Sequence, residues 1–458
     1  MSTALGRDDA LRLPDPPARI HFVGIGGIGV SGLARMLRER GYQVSGSDMV
    51  ASPVTAELEA EGIEVRIGHA AAHVAGADFV VMTAAAKADN PELVAAREQG
   101  IPAVKRAAVL GLLARDYRTL AVAGAHGKST TSGMAAVALD RAGLSPGFAV
   151  GAVVPQLGTN ARNGDGEYFV VEADEYDYSF LQLEPDVAII TNIEHDHPDL
   201  FPDFEAILDA FARFARRLRP GGTLVVAAGD PGCRRLLAEL DDDFSGRIVT
   251  FGTESGDWRL GEDVLVSGPG ERTFELPLVV PGRHNRLNVL AVLASADGLG
   301  IEPDRLLQGL SEFSGVGRRF EILREDADLV VVNDYAHHPT EIAATIAAAR
   351  ERYDDRRLLV IFQPHTYSRT RVLLDDFAGA LDGADEVVLA EVYAARETDD
   401  LGVSAASIAA RMAVPVETAA TPEEAARVAV ERLRPGDVAL VLGAGDIYRA
   451  AEQLSGGA

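Results

Sequence analysis

Residues 119–143, TLAVAGAHGKSTTSGMAAVALDRAG, read as a strand, a glycine turn and a helix in immediate succession. The turn, Gly124-Ala125-His126-Gly127-Lys128-Ser129-Thr130, is built like a phosphate-binding loop. Its backbone amides would cradle β- and γ-phosphates, Lys128 would neutralise them, and the Ser129 or Thr130 hydroxyl would meet a Mg²⁺ ion. The spacing G-x-x-G-K-S is shorter than the usual G-x-x-x-x-G-K-S, which argues for a narrow family rather than a generic nucleotidase. Lysine itself is rare here: of 43 basic residues only Lys87, Lys105 and Lys128 are lysines. A lysine that survives this arginine bias inside a glycine loop is expected to serve as a compact point charge.

Outward from that loop the same pattern repeats on both sides. Upstream, IHFVG precedes the glycine run Gly24-Ile25-Gly26-Gly27-Ile28-Gly29 and the helical stretch VSGLARMLRERG. Further strands follow at YQVSGSD, GIEVRIG, DFVVMTAAA and IPAVKRA, and downstream at YFVVEAD, DVAIITNI and TLVVAAG. A third restart stands at LVVVND, residues 329–334, followed by TEIAATIAAARERY, RLLVIFQ, EVVLAEV and DVALVLGAG. Strands alternating with helices predict an α/β protein with parallel sheets. The restarts place domain boundaries near residues 117 and 318, giving 19–116, 117–317 and 318–458 after a flexible tail at 1–18.

Composition narrows the functional classes. A formal net charge of −26 would repel a phosphate backbone, so no nucleic-acid partner is expected. The one cysteine, Cys233, allows no intrachain disulfide, and the first 20 residues carry no secretory pattern. Apolar runs are of strand length, so no membrane segment is expected, and the cytoplasm is the expected compartment.

Several strand ends carry chemistry. Gly24–Gly29 fits G-x-G-x-x-G, with Asp48 ending the next strand where a ribose-binding carboxylate would stand; the motif fits NAD, another diphosphate nucleotide, or a bare tight turn. Glu172 ends a strand in VVEADEYDYSF, whose acids would meet a cation or lie in solvent, the latter being expected of Asp177. TNIEHDHPD, residues 191–199, mixes acids and histidines as a divalent-metal site would. Polar clusters recur at GRHNRLN (282–288), GRRF (317–320), NDYAHHP (333–339) and FQPHTYSRTR (362–371), each readable as a capped helix, a buried ion pair or a ligand site.

In this order, GIGGIG…AHGKSTT…EADEYD…NIEHDHPD…HNRLN…NDYAHHPTE…FQPHTYSRTR resembles the Mur ligases, the ATP-dependent amide-forming enzymes of peptidoglycan assembly. The resemblance covers the chain after its tail. It implies a Rossmann-like N-terminal domain for a UDP-sugar, a central P-loop-type ATPase domain with a parallel-rich sheet, and a Rossmann-like C-terminal ligase domain. The activity implied is joining UDP-N-acetylmuramate to L-alanine through an acyl phosphate, releasing ADP and phosphate, with a tripeptide-adding relative as the alternative. ATP and Mg²⁺ are the implied cofactors, and a monomer or weak homodimer is expected. By resemblance, Gly124 to Thr130 hold ATP phosphates, and Glu172 and His197 join Ser129 and Thr130 as Mg²⁺ ligands. Asn285, Asn288 and Arg319 contact the nucleotide, and Asp334 its ribose. His337 stands near the γ-phosphate and the amine, and His365 and Arg369 near the alanine carboxylate. Gly26, Gly27, Ile28 and Gly29 hold the UDP diphosphate, with Asp48 and His69 near the uridine. Thr366 stands where some relatives place arginine, which shifts amino-acid recognition onto Arg369. No lysine follows Lys128, so a carbamylated lysine beside the metal is excluded.

Overall fold

The computed structural model describes residues 11–240, 244–261, 265–276 and 280–456; the first ten residues of the expected tail lie outside them. Chain contacts divide into two units, one of 1–194, 205–277 and 288–313, the other of 195–204, 278–287 and 314–458.

The first unit holds two sheets. In the first, β1 (Arg19–Val23), β2 (Gln43–Asp48), β3 (Glu64–Ile67), β4 (Phe79–Met82) and β5 (Ala103–Lys105) lie in the order β3-β2-β1-β4-β5. All pairings are parallel, the doubly wound arrangement predicted by the alternating pattern. The helix Ile28–Glu39 buries Val30, Leu33, Ala34, Met36 and Leu37, an i, i+3, i+4 stripe.

The second sheet has ten strands: β6 (Arg118–Ala123), β7 (Gly147–Val154), β8 (Thr159–Arg162), β9 (Tyr168–Glu172), β10 (Val187–Ile190), β11 (Thr223–Ala227), β12 (Arg247–Gly252), β13 (Trp258–Leu260), β14 (Leu265–Ser267) and β15 (Thr273–Glu275). Its order is β15-β14-β13-β12-β11-β10-β6-β9-β7-β8, so β6 and the phosphate loop sit between β10 and β9 near its middle. The central strands β10 and β11 are buried throughout, as strands covered on both faces must be. Gly32 lets the helix Ile28–Glu39 lie close on β8, since a Cβ there would stand 2.7 Å from that of Ala161. Asn160 fastens the same contact by donating to the Ile28 carbonyl at 3.0 Å.

The second unit is built on β16 (Glu321–Glu325), β17 (Leu329–Asp334), β18 (Leu358–Phe362), β19 (Glu386–Ala390), β20 (Val416–Ala419) and β21 (Asp437–Leu442). They run β16-β17-β21-β18-β19-β20, with only β16 antiparallel. Two apolar layers cover its faces, one around Ile342, Phe362 and Phe377, the other around Ile361, Val441 and Ile447. Strands β7–β8, β13–β15 and β16, which add antiparallel pairings, were not expected from the sequence pattern. Asp177 also departs from expectation. It is paired with Lys105 at 2.6 Å instead of lying in solvent, on a backbone turned to φ 56°.

Candidate functional site

The phosphate loop leaves β6 through Gly124 at φ 140°, where a Cβ would lie 2.0 Å from the Thr191 hydroxyl. Only glycine fits such a place. Residues just past β10 then clasp the loop. Thr191 and Asn192 both donate to the His126 carbonyl, at 2.6 and 3.1 Å, and the His126 amide donates back to Asn192 at 2.8 Å. Gly127, again left-handed, starts the helix Lys128–Arg141, and its Cα faces Asn288 closely enough that a Cβ would stand 3.1 Å from the amide oxygen. Ser129 is buried in the first turn, with Thr130 beside it partly exposed. The Lys128 ammonium donates to the carbonyls of Gly124 (2.7 Å) and Ala125 (3.1 Å) and to Glu175 (3.0 Å). Burial alone would lower its pKa, but Glu175, then Asp174 and Glu172, outweigh it and hold the lysine above its ordinary range.

Glu172, at the end of β9, accepts the Gly151 amide at 2.6 Å. With Asp174 it lines a cavity of about 290 Å³ that Gly27, Ile28, Gly29, Val30 and Arg106 also line. Arg106 lies against the first turn of the helix Ile28–Glu39, 3.1 Å from where a Gly29 Cβ would be. The cavity lining therefore includes a cation, a helix N-terminus and carboxylates, a set of groups suited to an anion and a metal.

In the first glycine turn, the Gly26 amide is already taken by the Asp48 carboxylate at 2.8 Å. Asp48 thus braces the turn, and Ile28 and Gly29 open the helix that follows. His69 does not stand alone either. Its Nδ1 lies 3.0 Å from the Ser47 hydroxyl and 3.4 Å from Glu92, a fully buried carboxylate that also meets Ser47 (2.6 Å), His73 (2.6 Å) and His21 (3.6 Å). Burial would raise the Glu92 pKa, yet hydrogen bonds from His21, Ser47 and His73 bring it down to about 2.

The second unit gathers His197, Asn285, Arg319, Asp334, His337, His365 and Arg369. Arg369 is buried and directs Nε (3.0 Å) and Nη2 (2.7 Å) at one oxygen of Asp196. Its Nη1 lies 3.3 Å from His365 Nδ1. An internal carboxylate thus holds two of the three Arg369 nitrogens, and the third lies beside His365. Burial opposes the charge on Asp196, but Arg369, His197 and His337 keep its pKa well below the usual range. His197 itself sits at φ 54°, its amide on Asp196 at 2.6 Å.

His337 Nδ1 faces two acceptors, the Tyr335 carbonyl at 3.1 Å and Glu341 at 3.2 Å, so that nitrogen carries the proton and Nε2 presents a lone pair. Burial lowers the His337 pKa and brings that of His365 to about 3, which keeps both rings neutral near pH 7. The two rings meet edge to face at 5.9 Å, and His365 stacks on Tyr393. Asp334 is buried, its oxygens accepting the Phe320 and Ala336 amides at 2.7 Å each, and burial raises its pKa to about 6. Arg319 lies over the Tyr335 ring and 3.4 Å from Glu341; Asn285 donates to the Pro281 carbonyl at 2.6 Å.

Sequence reasoning did not single out Glu92, Arg106, Glu175 or Asp196. Arg106 carried a readable signal, since it follows Lys105 at a strand end and opens a helix, where a basic pair meets the ligand edge of a parallel sheet.

Three family models match in succession: "Mur ligase family, catalytic domain" over residues 19–118, "Mur ligase middle domain" over 122–296, and "Mur ligase, glutamate ligase domain" over 318–445. The chain belongs to the Mur ligase family. This Mur ligase is 44% identical to the UDP-N-acetylmuramate–L-alanine ligase of Frankia casuarinae, over 95% of the chain and 96% of that relative. It is 43% identical to the protein of the same name from Thermobifida fusca, over 96% of each. Among solved structures it resembles the UDP-N-acetylmuramate–alanine ligase of Thermotoga maritima, with TM-score 0.80 and 33% identity over 95% of this chain and 97% of that one. A murein peptide ligase from Psychrobacter arcticus matches with TM-score 0.74 and 26% identity, over 96% and 99%. No helix among the described residues of this Mur ligase is long and apolar enough to cross a membrane.

Proposed function

We propose that this Mur ligase couples ATP cleavage to formation of the amide bond between UDP-N-acetylmuramate and L-alanine, in the cytoplasm, on the way to peptidoglycan. The observation that carries this reading is likeness along nearly the whole chain to relatives named for that reaction. Residues 19–116 are assigned to the UDP-sugar, 117–317 to ATP and 318–458 to the amino acid.

The carboxylate of the sugar nucleotide attacks the γ-phosphorus, giving an acyl phosphate and ADP. Alanine's amine then adds to the acyl carbon and phosphate leaves. Negative charge builds on phosphoryl oxygens, so Lys128 and the N-terminus of the helix that it opens carry the main electrostatic work. The diphosphate is assigned to the Ile28 and Gly29 amides with Arg106, and the uridine to the vicinity of Asp48 and His69. Hard oxygen donors suit Mg²⁺, and Glu172 beside Asp174 supplies them. Mg²⁺ is therefore proposed on Glu172 with the Ser129 and Thr130 hydroxyls, and His197 as a nitrogen ligand; when bound it neutralises phosphate charge. Asn285, Asn288, Arg319 and Asp334 are assigned to the nucleotide. His337 Nε2 is assigned to accept from the amine, and His365 with Arg369 to the alanine carboxylate.

The decisive experiment is phosphate release from UDP-N-acetylmuramate and ATP, leaving out one substrate at a time and exchanging L-alanine for the tripeptide. Release that requires L-alanine supports the proposal; release with tripeptide alone assigns the chain to the peptide-adding branch.

A further inference from the structure

A protonated lysine has three N–H donors. In Lys128 all three meet protein acceptors: the Gly124 carbonyl at 2.7 Å, the Ala125 carbonyl at 3.1 Å, and Glu175, whose two oxygens lie 3.0 and 2.9 Å from Nζ. A lysine held in this way has no donor to give a phosphate until one acceptor yields. The two carbonyls belong to the loop backbone, which Thr191 and Asn192 fix from the adjoining strand end. Glu175 is a side chain, and it alone of the three carries charge. An arriving triphosphate repels it and leaves the carbonyls in place.

Glu175 is also fully buried, at 0% exposure, which a carboxylate tolerates only beside a cation. It is placed three residues beyond Glu172, outside the strand.

We infer that Glu175 is a positioning residue that takes a phosphate's place at Lys128 between turnovers: ATP displaces it on entry, and its return to the ammonium helps ADP leave. This inference rests on the assignment of the loop to ATP. Glu175 therefore weakens nucleotide binding while speeding release, the opposite of what an ordinary structural ion pair does.

The test is equilibrium titration of ADP into the full-length parent, Glu175→Gln and Glu175→Asp, together with steady-state kinetics. Glu175→Gln keeps the shape and removes the competing charge, so ADP should bind roughly tenfold tighter. Both kcat and KM for ATP should fall, with KM for the sugar nucleotide unchanged. Glu175→Asp keeps the charge but draws it back by one methylene, and should tighten ADP by a smaller factor; it carries the test alone if the glutamine variant does not fold. A structural pair predicts weaker ADP binding and a raised KM for ATP in either variant, and unchanged or weaker ADP binding overturns the inference. A parent that binds no ADP overturns the ATP assignment as well, whereas a parent that binds and variants that do not tighten overturn this inference alone.

Discussion

At the scale of single residues, charge placement decides most of what the site can do. Lys128→Ala removes the lysine of the phosphate loop, so ligation should fall by at least about a thousandfold, or roughly 4 kcal/mol of transition-state stabilisation. Sugar-nucleotide binding, measured by calorimetry, should stay near the parent value. Arg369 poses a different problem, because its partner is internal. Removing one member of a buried, hydrogen-bonded pair leaves an uncompensated charge, so Arg369→Ala should cost about 3–5 kcal/mol of stability and also weaken alanine. Adding Asp196→Asn should restore part of the stability and none of the alanine affinity, which a denaturation series with a double-mutant cycle reads directly. Full recovery of both would make Arg369 a brace and nothing more.

Elements set where those charges stand. The two glycine turns were legible because strand, turn and helix are adjacent in sequence, and residues such as Gly124 announce a backbone that only glycine adopts. Clusters gathered from distant positions gave no such signal. Glu92 collects His21, Ser47, His69 and His73 from separate elements of the first sheet's domain, and Asp196 meets Arg369 from 173 positions away. The three-residue strands β13 to β15 were also invisible, because a period of two cannot be read in so short a run. The Glu92 cluster makes a pH prediction. Its folded pKa of about 2 lies below the unfolded value of 4.5, so its contribution is fully present above pH 4.5 and is lost as pH falls toward 2. Glu92→Gln should therefore destabilise by up to about 3 kcal/mol at pH 7, with the gap to the parent narrowing below pH 4.5 in chemical denaturation. A gap that stays constant down to pH 3 would mean that hydrogen-bond shape, rather than charge, does the holding.

For the molecule as a whole, 69 acidic side chains face 43 basic ones. Self-repulsion of that size is screened by salt over about 8–10 Å, so melting temperature should rise by about 2–5 °C between low and physiological ionic strength. Scanning calorimetry across sodium chloride concentrations checks it, and a fall would show that the surface ion pairs outweigh the excess charge. The division of the chain carries a last consequence. Each unit is assembled from three separate stretches, the second from 195–204, 278–287 and 314–458. A ribosome therefore delivers Asp196 long before Arg369, and a buried carboxylate must wait in water for its partner. The second unit cannot be finished until residues 314–458 have been made, and products truncated within them should be recognisable to proteases by an incomplete core rather than by a missing domain.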